Sequence, residues 1–161
     1  MVASGQRIRS SDRERFGDVL AQAVQCELYA WRRQPLGRLA EIIVLDQFSR
    51  NIYRGTARAF AADPQALALA QEAVAAKAAV ALAPHHKAFL YMPYMHSESR
   101  QIHKIAVELF SEKGLGPNLD FELRHKAIID RFGRFPHRNA MLGRTSSEEE
   151  IEFLKRPGSS F

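Results

Sequence analysis

Apolar residues recur every three or four positions along almost the whole chain, and nowhere do they alternate over the length of a strand. That period places them on one face of a helix. The chain must therefore fold by packing helix faces, which predicts an all-α architecture. Proline, glycine and capping residues divide it. Ser11, three residues before Glu14, reads as a capping box, after which Phe16, Val19, Leu20, Ala23, Val24 and Trp31 mark a first helix. Cys26 falls inside that helix and is expected to be buried. Gln34-Pro35-Leu36-Gly37 breaks the pattern, and a second helix runs from about Leu39 to Tyr53. It is apolar around most of its circumference early on, so it is expected at the centre. Asp63-Pro64 reads as the N-cap and first residue of a third helix, reaching about Leu82. Pro84 opens a fourth, which Pro93 ends or kinks. Ser97 caps a fifth, with Ile102, Ile105, Ala106, Leu109 and Phe110 as its stripe. Gly116-Pro117-Asn118 reads as a loop before a sixth helix that Gly133 stops. Thr145 and Glu148 form a further capping box before a last helix.

Short connections make neighbouring helices antiparallel, so the expected form is antiparallel helix pairs stacked as a superhelix or a bundle. The 161 residues suit a single all-helical domain. A lone cysteine offers no internal disulfide and fits a reducing cytoplasm. The N-terminal segment MVASGQRIRSSDRER has no apolar core, so it is not read as a secretory signal. The alanine-rich run AVAAKAAVALA is short and is interrupted by Lys77, so no membrane span is expected. The expectation is a cytoplasmic protein.

The formal charge is +5 and the pI about 9.7. Within residues 124–144, Arg124, Lys126, Arg131, Arg134, Arg138 and Arg144 face Asp130 alone. The whole excess of the chain sits in that segment. Such concentration favours a local anion site over a broad basic face, so nucleic acid is not an expected partner.

That segment also echoes an earlier one. Val44-Leu45-Asp46-Gln47-Phe48-Ser49-Arg50, with Arg54 one turn on, matches Ile128-Ile129-Asp130-Arg131-Phe132-Gly133-Arg134, with Arg138 one turn on. Duplication and coincidence both fit. In the first copy Asp46 and Arg50 are i,i+4 neighbours in the favourable order. A guanidinium held this way has donors left for a carboxylate or phosphate.

The histidines divide. His96 precedes Ser97 and Glu98, and a general acid/base role competes there with helix capping. Capping accounts for Ser97 and Glu98 but not for His96. His125 lies on the apolar face of the sixth helix, where a histidine is more often a hydrogen-bonded core residue. His137 lies between arginines in a loop and is the better contact for a ligand. No His, Cys or carboxylate spacing points to a metal, and no glycine-rich loop or nucleophile elbow points to a cofactor or a covalent catalyst.

Three blocks, LDQFSRNIYRGTARAFA, FLYMPYMHSES and HKAIIDRFGRFPHRNAMLGRTSSEEEIEFL, resemble the signature blocks of an uncharacterised bacterial family, domain of unknown function 924. The resemblance covers about residue 12 to Phe161. It implies a tetratricopeptide-like helical superhelix, although the Trp-Leu-Gly-Tyr pattern of those repeats is absent here. Two departures stand out. The family's aromatic Phe-Trp-Phe-Gly-like N-terminal stretch is absent from this sequence, so a helix of packing is expected to be missing or replaced by a partner. The second block ends His96-Ser97-Glu98-Ser99, where the family carries an Asp last.

The expected centre is a polar cluster of Asp46, Arg50, Asn51, Arg54, His96, Glu98, His125, Arg134, His137, Arg138 and Asn139. Three roles fit it, in this order: binding a small anion or acidic peptide, a buried salt-bridge network without ligand, and proton transfer by His96 or His137. The other partner expectation is a homodimer.

Overall fold

A computed structural model describes the backbone of residues 3–161 and the side chains of residues 14–161. Every element among them is helical, so the fold is all-α. The first helix, α1 (Ala3–Val24), is helical well before Ser11, which therefore does not start it. The side chains of Ser11 to Arg13 lie outside the described residues. Leu20 and Ala23 bury against the second helical segment, but Val24 and Trp31 stay exposed. Cys26 lies beyond the helix, exposed, in the left-handed region with φ 61°. The expectation that it would be buried in α1 is thereby corrected. Trp31 belongs to a 3-10 turn, Tyr29–Arg33.

The supposed break at Gln34-Pro35 is a helix start. Pro35 opens α2 (Pro35–Ile43), where its missing N–H costs no hydrogen bond. Gly37 is required there, because a Cβ would stand 2.0 Å from the Trp31 carbonyl oxygen. Arg32 grips the buried Glu41 through a two-pronged pair, at 2.7 Å on each prong. The helix then widens into a π turn, Val44–Phe48, and resumes as α3 (Ser49–Ile52). Leu39, Ile42, Val44 and Leu45 are buried, as a central segment requires.

Asp63 begins α4 (Asp63–Ala75) but its side chain does not cap it. Ala66, Ala70 and Ala73 are fully buried, and their small size lets neighbouring helices approach. The helix ends short of Leu82, at Ala75, because Lys77 turns left-handed at φ 57°. Next come α5 (Pro84–Met95) and α6 (Arg100–Phe110). Pro93 lies inside α5, which continues two residues past it. The pair is antiparallel: Lys87 and Tyr91, early in α5, both hold Glu112, just beyond α6. The N-cap of α6 is Ser99, not Ser97. An Asp at that position would cap as well. The turn from Gly116 to Asn118 belongs to α7 (Gly116–Phe132), which Gly133 closes at φ 72°. Arg100 at the start of α6 reaches the Asp130 carbonyl near the end of α7, so this pair is antiparallel too.

The last helix is α8 (Glu148–Leu154). Its capping box is Ser147 with Glu150, two residues later than the sequence reading placed it. Ser147→Ala is expected to cost about 1 kcal/mol, read as a lower urea midpoint with an unchanged slope. No helix among the described residues is long and apolar enough to cross a membrane.

Candidate functional site

A cleft of about 610 Å³ opens where α3, the end of α5, the first turns of α7 and the 3-10 turn Pro136–Arg138 converge. Met92, Met95, Phe60, Phe121, Met141 and Phe161 give it apolar walls. Asn51, Arg54, His96, His125, His137 and Arg138 add the polar groups.

The π turn sets Asp46 beneath the cleft, 2% exposed. Its carboxylate accepts from Arg50 Nη1 at 3.0 Å and from Gln47 Nε2 at 2.5 Å. His96 Nδ1 stands 2.7 Å from the same oxygen that Arg50 holds. Burial pushes the Asp46 carboxyl up, but His96, Arg50 and Gln47 outweigh it and hold the group down at about 2. Because Asp46 is ionised, His96 Nδ1 is the nitrogen that carries a proton and donates. His96 Nε2 has no hydrogen-bond partner among the described residues, and the ring lines the cleft.

Asp63 closes the floor from α4. Arg50 forks onto it at 2.7 and 2.9 Å, and Arg138 Nη1 reaches it at 3.3 Å. Burial works against the charge of Arg50, but Asp46 and Asp63 prevail and raise its pKa. Arg138 is nearly buried between two rings, 4.5 Å from the Phe60 centroid and 4.7 Å from that of Phe135. It donates to the His96 carbonyl at 3.0 Å, and its Nε is buried without a partner. Burial brings this guanidinium down to about 10.

Two histidines stay neutral. Nδ1 of His125 donates to the Phe121 carbonyl at 2.7 Å, which fixes its tautomer. Burial pushes its pKa down to about 4. His137 is also pushed to about 4, by burial first and then by Arg138, and its Nδ1 is buried without a partner. The Phe161 ring lies 3.7 Å from the His125 ring centroid and 4.7 Å from that of His137.

The eleven residues picked from sequence thus separate. Arg50, Asn51, Arg54, His96, His125, His137 and Arg138 line the cleft, with Asp46 directly behind. Glu98, Arg134 and Asn139 lie away from it. Glu98 receives Arg144 at 2.7 and 2.9 Å and the Phe135 amide at 2.8 Å, so it does not serve the start of α6. Asn139 holds Arg144 at 3.0 Å, and Arg134 forks onto Glu150 at 2.7 and 2.8 Å. These three stiffen the segment that carries His137 and Arg138. The echoed Asp–Arg pair does not form twice, for Asp130 pairs with Lys126 instead. The residue most clearly missed is Asp63. Its Asp-Pro setting reads as a cap, and only the fold brings it to two arginines that lie 13 residues behind it and 75 ahead.

No functionally curated protein matches the sequence. A solved structure from Agrobacterium tumefaciens, the protein of unknown function ATU0120, is similar: it is 36% identical, with a TM-score of 0.86, over 91% of this chain and 85% of that one. The family model described as "Bacterial protein of unknown function (DUF924)" matches residues 3–158. The chain belongs to that bacterial family.

Proposed function

We propose that the cleft binds a small organic anion with an apolar or aromatic body. The observation that supports this most is Arg54. It lines the cleft, is exposed, and has no carboxylate partner among the described residues; its one hydrogen bond goes to Asn51 Oδ1 at 3.2 Å. Arg50 and Arg138, by contrast, are neutralised by Asp46 and Asp63. A mouth with a free guanidinium, above walls of Met and Phe, matches a carboxylate or phosphate joined to an apolar group. The volume suits a small molecule or the end of an acidic peptide. The purely structural reading fits the outer residues better, since Glu98, Arg134 and Arg144 are all satisfied by protein groups.

Benzoate, phenyl phosphate, hexanoate and inorganic phosphate separate these features in a thermal-shift series. The aromatic anions are expected to raise the melting temperature most. Arg54→Gln is expected to weaken their binding about tenfold, the loss of one charge-assisted contact. A series in which no anion shifts the transition, or in which Arg54→Gln changes nothing, would count against the proposal.

A further inference from the structure

We propose that the cleft is a hydrolytic site, in which the Asp46–His96 pair activates a water molecule against a carboxylic ester of the bound anion. This rests on the binding reading above and deepens it.

Three observations carry it. First, the Asp46 carboxylate accepts only from donors, namely Arg50, Gln47 and His96. The neutral His96 ring therefore carries its proton on Nδ1 and its lone pair on Nε2, the arrangement a general base needs. Second, Asp46 sits in a π turn of the helix. The π turn Val44–Phe48 inserts one extra residue into the helix, which turns the following face by about 100°. Such turns are rare and are concentrated at functional sites. Third, the described lining contains no Ser, Thr, Cys, Tyr or Lys. No side-chain hydroxyl, thiol or amine is present there to be activated, so the nucleophile that His96 would serve is water. Asn51, Asn118 and Arg54 line the same cleft, and their side-chain N–H groups are of the type that receives a carbonyl oxygen.

His96 Nε2 takes a proton from water as the water oxygen bonds to the carbonyl carbon. The carbonyl electron pair moves to its oxygen, where the N–H donors receive it. On collapse the bond to the leaving oxygen breaks, and Nε2 returns the proton to that oxygen. The products are a carboxylic acid and an alcohol. Asp46 remains ionised throughout and holds the imidazolium in place.

4-Acetoxybenzoate, an ester whose carboxylate is held too far away to attack its own carbonyl, is the probe, with release of 4-hydroxybenzoate as the readout. His96→Asn and His96→Gln are each expected to lower kcat about 100-fold or more. Asp46→Asn is expected to lower kcat with KM little changed, and heavy water should slow the wild-type reaction because a proton moves in the transition state. The double variant His85→Gln/His86→Gln, at residues outside the cleft lining, should react like wild type. Equal rates for wild type and both His96 variants would overturn the proposal. So would a His96-dependent rate without a solvent isotope effect, which means direct attack by the imidazole. Benzoate binding, measured by calorimetry on the same proteins, separates the two levels. Binding without hydrolysis defeats the hydrolytic assignment and leaves the binding reading standing. No binding at all defeats both.

Discussion

Lowering the pH from 6.5 to 4 is expected to destabilise the fold by several kcal/mol, and His125→Gln with His137→Asn is expected to remove most of that loss. Both imidazoles are pushed from 6.5 down to about 4, chiefly by burial. The unfolded chain therefore takes up two protons at higher pH than the folded chain does. Between those values the unfolded state binds more protons, so stability rises with pH. The contribution is complete above the unfolded value and is lost as pH falls towards the folded one. A shift of this size corresponds to about 3 kcal/mol for each ring. Asp46 adds a second, lower phase. Its carboxyl is held at about 2 against an ordinary 3.8, so its contribution is present above 3.8 and fades as pH falls towards 2. Glu122, raised by burial, works in the opposite sense, which is why the histidine variant and not the wild-type profile isolates the effect. Urea unfolding at steps between pH 7 and pH 4 measures it. Parallel profiles for wild type and the double variant would show that the rings do not carry the dependence.

His103→Leu should be the most damaging single change, at about 3–5 kcal/mol. A chain of this size should lose roughly 10 °C in melting temperature. His103 and Glu122 are both 0% exposed, with Nδ1 2.6 Å from the carboxyl oxygen. The other ring nitrogen donates to the Ser97 carbonyl at 2.8 Å. That nitrogen must therefore hold a proton, and one further proton is shared between Nδ1 and the Glu122 carboxyl. Removing the ring strands a buried acid and frees the Ser97 carbonyl, in the turn that also carries His96. Glu122→Gln is expected to cost much less, because its amide can donate to Nδ1. Calorimetry on the two variants compares them directly. Equal stability of His103→Leu and wild type would refute this account of the pair.

The helical architecture was legible because it depends on a period that side-chain chemistry states openly. Leu39, Ile42 and Leu45 recur at helical spacing, and they are buried. Helix ends were less legible, since several residues near each start can cap. Ser97 and Ser99 are equivalent by type, and only backbone geometry selects Ser99. The same ambiguity moved the last capping box by two residues and hid Asp63 behind a capping role. The cluster was partly visible because Asp46 and Arg50 share one helix face. Its sorting was not, because which carboxylate neutralises which arginine depends on contacts remote in sequence. Arg144 with Glu98 spans 46 residues and Arg138 with Asp63 spans 75. The π turn has no sequence signature in this chain, yet it positions Asp46.

The chain's six histidines offer the most direct test of the cleft as a ligand site. Imidazole resonances can be followed by nuclear magnetic resonance while phenyl phosphate is added at constant pH. Saturable shifts are expected at His96, His125 and His137, which line the cleft, with His85, His86 and the sealed His103 unmoved. Shifts confined to His85 and His86, or no saturable shift at any ring, would contradict a ligand site there.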